Sequence, residues 1–308
     1  LLFVMAGCSG HSKNLKFGAA DIGGVYYSFA STFTQLADKE IDGYTFETKT
    51  TAGSVANLRL ISDGYIDLAI VQADLLSDAY NATGTFADKK YQKGYKAVAS
   101  LYTECCQIVV RKDSGITGID DLINKTVSVG ASESGSEKNA EQILKMSGIT
   151  DELINKVNMD YTEAAEKLKA GEIDAFFCTA GTRTEVIGQL SKECDICLIS
   201  LDDKCIDKML SAYSLCEKYT IPAGTYNGQD SDVTTIGVKA VLIAKQSLSD
   251  DVIKNVTKTI YEHADDFKYA TSLDISFDIN TAADGVDIPF HSGAAAYYTE
   301  RGINVLTE

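Results

Sequence analysis

The chain has 308 residues, 45% of them hydrophobic, enough to bury the core of one large domain or of two ordinary ones. With 44 acidic against 28 basic residues its formal charge is −16, which repels nucleic acid and anionic lipid head groups and disfavours a nucleic-acid role. Only 2 Pro, no Trp and 24 Gly fit a regular α/β chain with many short turns, and no heptad or low-complexity stretch points to a fibrous or disordered one.

At the start, Leu1-Leu2-Phe3-Val4-Met5-Ala6-Gly7-Cys8 is an apolar run ending in small residues directly before a cysteine. It looks like the tail of a bacterial lipoprotein signal peptide. Residues 1–8 are therefore expected to be a signal remnant with Cys8 lipidated, and residues 9–14 a polar tether. The expected location is extracytoplasmic, anchored to the cell membrane as a lipoprotein. No other apolar run reaches the roughly 18 residues that a membrane-spanning helix requires.

Residues 15–20 read as a strand, Asp21-Ile22-Gly23-Gly24 as a turn, and residues 25–39 as a helix. A strand is expected over 45–50, a capped turn at Ala52-Gly53-Ser54, a helix carrying Val55, Leu58 and Ile61, and a buried strand over 67–71. Two separate strands follow, over 97–101 and 107–111, and the chain then leaves its first lobe at Lys112-Asp113-Ser114-Gly115. The next unit runs from a strand over 126–130 through a polar loop into a helix whose Ala140, Ile143 and Leu144 face a core. Strands over 175–178 and 196–200 come next. Residues 219–232, with Pro222 and Gly224, read as the return crossing. A last strand spans 238–244, and Val252, Ile253, Val256, Ile260, Ala264 and Phe267 predict one long amphipathic helix.

Ile61-Ser62-Asp63-Gly64-Tyr65-Ile66-Asp67-Leu68-Ala69-Ile70-Val71 is echoed by Leu168-Lys169-Ala170-Gly171-Glu172-Ile173-Asp174-Ala175-Phe176-Phe177. Each copy is a helix end, a Gly stop, an Ile-Asp pair and an apolar strand. The same αβ unit in each half predicts two lobes: a discontinuous lobe I, 15–112 and 226–308, enclosing lobe II, 113–225. Two crossings then form a hinge beside a central ligand cleft.

Gly23-Gly24, Gly53-Ser54 and Ser134-Gly135-Ser136 place Gly and Ser at helix starts, where unpaired N–H groups bind an anion without a basic side chain. Around them Gln72 and Asp74 end an apolar strand, Asn57 follows Gly53 by one helical turn, and Tyr26, Tyr27 and Tyr102 are candidates for the walls. Thr179 and Arg183 follow the second echo strand, where Arg183 suits a side-chain carboxylate.

Eight cysteines give no metal pattern, because Cys194-x-x-Cys197 lacks a partner pair at zinc spacing. Cys105, Cys106, Cys178, Cys194, Cys197, Cys205 and Cys216 are an odd number once Cys8 is lipidated, and the crowding from Cys194 to Cys216 permits a local disulfide. No P-loop, GxGxxG, HExxH or nucleophile elbow occurs, so neither a cofactor nor enzymatic activity is expected.

Taken in order, Gly23-Gly24-Val25-Tyr26-Tyr27, Gly53-Ser54-Val55-Ala56-Asn57-Leu58-Arg59-Leu60, Val71-Gln72-Ala73-Asp74, Ser100-Leu101-Tyr102-Thr103-Glu104, Ser134-Gly135-Ser136-Glu137-Lys138-Asn139-Ala140, Asp174-Ala175-Phe176-Phe177 and Thr220-Ile221-Pro222-Ala223-Gly224-Thr225-Tyr226 resemble the TAXI group of solute-binding proteins, the extracytoplasmic receptors of TRAP transporters. The resemblance implies an α/β, two-lobed type II periplasmic-binding-protein fold. It also implies capture of a small organic anion or amino acid, such as glutamate, glutamine or 2-oxoglutarate, and delivery to a TRAP-type membrane permease. Carried over by position, the ligand contacts fall on Gly24, Tyr27, Gly53, Ser54, Asn57, Gln72, Tyr102, Ser134, Gly135, Ser136 and Thr179. Two alternatives stay open: a metabolite-processing enzyme on the same fold, for which the sequence offers no general base or nucleophile in the cleft, and a surface interaction lipoprotein with no ligand.

Overall fold

The computed structural model describes residues 12–88, 94–272 and 277–308. The signal remnant with Cys8, and residues 9–11 of the tether, lie outside them. The end of the expected tether is already strand, because β1 (Lys13–Gly18) starts at Lys13 to pair with Tyr44.

The chain continues through α1 (Val25–Glu40), β2 (Tyr44–Lys49), α2 (Ser54–Ser62), β3 (Leu68–Gln72), α3 (Ala73–Asn81) and the long β4 (Tyr95–Arg111). It then forms β5 (Thr126–Ser128), α4 (Gly135–Met146), β6 (Asn155–Val157), α5 (Tyr161–Ala170), β7 (Ala175–Ala180), α6 (Glu185–Glu193), β8 (Ile196–Leu198), α7 (Asp203–Ala212) and β9 (Cys216–Ile221). The long β10 (Val233–Lys245), α8 (Asp250–Glu262), α9 (Ala264–Thr271) and α10 (Ser292–Thr299) complete it. The strands join in the order β2-β1-β3-β10-β4-β7-β5-β6, with β8 also on β4 and β9 also on β10. Parallel strands at each end, wrapped by helices, meet at two long antiparallel strands that run through both halves.

Those two strands correct the expected chain path. Two separate strands were expected over 97–101 and 107–111, yet β4 is continuous. It pairs with β10 as far as Cys105 and with β7 from Cys105 onward, so its backbone groups keep a partner throughout. Residues 219–232, read as the return crossing, hold the end of β9 and the loop that leads into β10. β9 pairs antiparallel with the first half of β10, and the loop between them is pinned by Tyr226, whose buried hydroxyl donates to Gln107 Oε1 at 2.5 Å. The expected single helix over 252–267 is two helices. His263 departs from helical geometry and its ring nitrogens engage Asp266 and Glu40, while Phe267 still reaches the core to stack on Phe29 at 4.4 Å.

Alternation along β4 and β7 explains how the second half is built. Cys106, Ile108, Val110, Ala175 and Phe177 face one apolar cluster with Ile143 of α4 and Met209 of α7. Val109, Phe176 and Cys178 face the other way, against Ala164 and Leu168 of α5. The echoed segments are superimposable in their bonding. Tyr65 N–H donates to Leu60 O and Glu172 N–H to Lys167 O, both at 2.9 Å, over Gly64 and Gly171 at φ +82° and +75°. Asp67 then accepts the N–H of Lys16 at the neighbouring β1, and Asp174 that of Thr126 at β5. All seven described cysteines are free thiols.

Candidate functional site

Where the halves of the sheet meet, the loops before α1, α2 and α4, the ends of β3 and β7 and the middle of β4 line a narrow cavity. Of the residues expected at the site, Gly24, Gly53, Ser54, Gln72, Ser134, Gly135, Ser136 and Thr179 line it.

Gly53 has φ +119° and ψ −149°, a backbone state that only glycine adopts readily, and it turns the chain so that α2 begins at the cavity wall. Its Cα faces the start of α4, with Ser134 within 3.5 Å of where a Cβ would stand. Two helix N-termini, one from each half, thus converge on one point. Ser134 caps α4 by accepting the Glu137 N–H at 3.0 Å, so its hydroxyl oxygen is already engaged. Ser54 Oγ accepts the N–H of Gln72 at 3.1 Å, which fixes the end of β3 against α2. Across the cavity Ser136 Oγ accepts the Thr179 N–H at 2.8 Å and shares a 2.5 Å hydrogen bond with Tyr161.

Gln72 and Gly135 need each other. A Cβ on Gly135 would stand 2.3 Å from Gln72 Oε1, so the Gln72 amide lies flat over the glycine. In that position Gln72 Nε2 donates to Asn139 Oδ1 at 3.0 Å, joining β3 to α4 across the cleft. Gln72 Oε1 and Thr179 Oγ1 are buried with no hydrogen-bond partner. Buried polar atoms left in this state in a cavity wall mark a place where a ligand or water supplies the missing bond.

Four expected contacts stand elsewhere. Asn57 is fully buried behind the wall, where its Nδ2 donates to Ala19 O at 2.7 Å and Ile70 O at 2.9 Å and its Oδ1 accepts from Thr51. It braces the loop that carries Gly53. Tyr27 packs on the lobe core, and its neighbour Tyr26 lines the cavity instead. Tyr102 is buried beside Glu104, with no hydrogen-bond partner for its hydroxyl. Arg183, at φ +67°, lines an adjoining outer groove with Gly23, Gly24 and Glu185.

The residues that sequence reasoning left unassigned are acidic. Asp21 and Glu104 both line the cavity, with Tyr161. Glu104 is 3% exposed, and the Tyr26 hydroxyl donates to its Oε2 at 2.7 Å. Burial pushes the Glu104 carboxyl up to about 8, against the opposing pull of the Tyr26 and Gln72 hydrogen bonds. Burial and the nearby Asp160 raise Asp21 to about 6. A titratable carboxyl therefore does sit in the cleft, where none was expected. Its position at the partner switch of β4, a tertiary feature, hid it from sequence patterns. Among the described residues no group of three or more His, Cys, Asp or Glu is placed to hold a metal ion.

The architecture is that of known binding proteins. PhnD1 from Prochlorococcus marinus, solved with methylphosphonate, aligns with a TM-score of 0.60 at 12% identity over 86% of this chain and 93% of its own. A putative L-cystine ABC transporter protein from Listeria monocytogenes aligns at 0.53 and 15% identity over 84% and 94%. An ancestral arginine-binding protein bound to arginine aligns at 0.52 and 15% over 85% and 98%. The expected two-lobed periplasmic-binding fold is thus the fold found. The family model described as NMT1-like matches residues 17–302, and the chain belongs to the NMT1-like family.

Proposed function

We propose that this protein is an extracytoplasmic solute-binding receptor that closes its two lobes on a small carboxylate-bearing solute of the glutamate, glutamine or 2-oxoglutarate kind. The observation that carries the reading is the convergence of the α2 and α4 N-termini on a cavity lined by the unpaired buried atoms Gln72 Oε1 and Thr179 Oγ1. One ligand carboxylate between the helix ends accepts N–H groups from both halves, which couples binding to closure. The TAXI-like motifs of the sequence support a TRAP-type permease as the acceptor of the solute, and the lipoprotein-like start supports attachment through Cys8. The partner changes in β4 at Cys105 and along β10 near Gly237 support hinge points inside these strands, between a lobe holding β1 to β3 and a lobe holding β5 to β7. An enzyme reading has Glu104 in its favour, but among the described residues the lining offers no Lys, Arg or His to polarise a substrate.

Calorimetric titration of the purified protein with L-glutamate, L-glutamine, 2-oxoglutarate and small dicarboxylates tests the reading. One-to-one binding of at least one of them is expected. Ser54→Pro removes a backbone donor at the start of α2 and is expected to abolish that binding. Silence across the panel, or unchanged affinity in the variant, overturns the site as drawn.

A further inference from the structure

The loop that opens α1 lines the cavity and also reaches the helix facing it from the other half of the sheet. Asp21 stands on the cavity wall with Tyr161, the first residue of α5. The backbone N–H of Tyr161, one of the donors that a helix start leaves free, pulls on the Asp21 carboxyl. A Cβ on Gly24 would stand 4.0 Å from Tyr161 Cε2, so the ring edge passes close over the glycine. From its own side the ring is held firmly: its hydroxyl donates to Thr179 O at 3.0 Å and shares the hydrogen bond with Ser136. Asp21 and Gly24 follow β1, whereas Tyr161 lies between β6 and β7, so this contact joins the two halves. It also carries an opposing charge. Asp160 caps α5 by accepting the Glu163 N–H at 2.8 Å, and its carboxylate repels that of Asp21. One N–H thus draws Asp21 in, while desolvation and a like charge push its ionised form out.

We propose that the docking of the Asp21 loop on the start of α5 is a proton-operated latch between the lobes, which holds when Asp21 is uncharged and is weakened by Asp160 when Asp21 is ionised. The inference rests on the lobe-closure reading above and adds the regulation of that closure. The titratable groups around Asp21 are Asp160 and Tyr161 of α5, with Tyr26 of α1 and Glu104 of β4 on the same cavity wall. The groove beyond Gly24 adds Arg183, Glu185 and Lys192, none of which offsets the effect of Asp160. With the lobes together, burial and Asp160 raise the Asp21 carboxyl to about 6. With the lobes apart both causes are removed, and the ordinary value near about 4 applies. The closed form is therefore the one that takes up the proton. Its advantage is complete below about pH 4 and is lost as pH rises through about 6. Because bound solute requires closure, affinity falls with rising pH by up to about tenfold per unit over that window and is level above it.

The experiment pairs solution scattering of the ligand-free protein with calorimetry, each at about pH 5 and about pH 7.5. The calorimetric probes are the solutes of the panel above, among them L-glutamine, whose charge is the same at both pH values. The unaltered protein is expected to be more compact near pH 5 and to bind about tenfold tighter there than near pH 7.5. Asp21→Asn keeps an oxygen for the Tyr161 N–H and removes the charge. It is expected to be compact at both pH values, to bind about tenfold tighter than the unaltered protein near pH 7.5, and to lose the pH dependence. Asp160→Ser still caps α5 and is expected to shrink the pH dependence without abolishing it. A merely structural Asp21 would shift the unfolding midpoint in the variant and leave the pH profile of binding as it was. Binding with a flat pH profile, or with a profile that Asp21→Asn retains in full, overturns the latch while the receptor reading stands. Silence of the solute panel beside compaction that depends on Asp21 does the reverse, and silence of both readouts overturns both. Should Asp21→Asn fail to fold, Asp160→Ser against the unaltered protein still decides.

Discussion

Single residues here carry either the scaffold or the site, and burial tells the two apart. Asp67 and Asp174 show the scaffold role: each ends an echoed turn by accepting an N–H of the neighbouring parallel strand, from Lys16 within β1 and from Thr126 at the start of β5, which ties strand order in both lobes. Asp74 does no such service. It is 8% exposed at the start of α3, and neither carboxyl oxygen meets a donor in hydrogen-bonding geometry. Burial raises its carboxyl to about 6, although the Leu75 N–H and the Gln142 amide pull it down. Because the folded value lies above the ordinary one, folding takes up a proton. The stability from this group is complete below about pH 4 and is lost as pH rises through about 6. Asp74→Asn is therefore expected to stabilise the protein by roughly 1–3 kcal/mol near pH 8 and by almost nothing near pH 4, read as a shift of the urea midpoint at constant slope. A gain of equal size at both pH values would show that titration is not the cause.

At the scale of elements, what was legible in the sequence was what depends on local pattern. The Gly-Ser helix starts, the echoed αβ units and most strands follow from caps, glycine stops and apolar alternation, and eight of the expected contacts meet in one cavity. What was not legible depends on partners distant in the chain. The segment between the two expected strands carries no record in its sequence of the β10 and β7 backbones that keep it paired. Asn57 lies at contact spacing from Gly53, yet its amide is consumed by Ala19 and Ile70 carbonyls that only the folded sheet brings near. The break at His263 likewise depends on Glu40 from another helix. The junction of β3 with α4 offers a test of element packing. Gly135→Ala puts a methyl where the Gln72 amide lies, and the end of a flexible side chain moves aside more readily than a helix does. The helix itself gains from alanine or is unaffected. Thermal stability is thus expected to change by less than about 1 kcal/mol, while ligand affinity falls by about tenfold or more because Gln72 Oε1 leaves the wall and the bond from Gln72 Nε2 to Asn139 is lost. Calorimetry paired with a thermal melt separates these effects, and an unaltered affinity would remove Gln72 from the site.

For the whole molecule the question is what holds the lobes together before a ligand does. Among the described residues, contacts that cross the cleft beside the cavity include Ala56 N–H to Glu133 O at 3.0 Å, Gln72 to Asn139, and the paired bonds from Arg59 to Glu133 at 3.1 and 2.6 Å. Glu133, at φ +65°, sits at the turn that presents the α4 N-terminus, so its ties to α2 bring the two helix ends into register. Both side chains of the Arg59 and Glu133 pair are 39% exposed, which limits its worth to about 1 kcal/mol or less after screening by solvent. That is too little to hold the lobes shut alone, and enough to shift an open and closed equilibrium by about fivefold. Arg59→Ala is accordingly expected to leave the unfolding midpoint nearly unchanged, to expand the ligand-free protein in solution scattering, and to weaken ligand binding by no more than about fivefold, since bound ligand restores closure through the helix N-termini. Added salt should reproduce part of the expansion in the unaltered protein and none in the variant, because only the former has this pair to screen. If the variant scatters as the unaltered protein does both with and without ligand, closure rests on the backbone and amide contacts, and the ion pair is a passenger on the cleft rim.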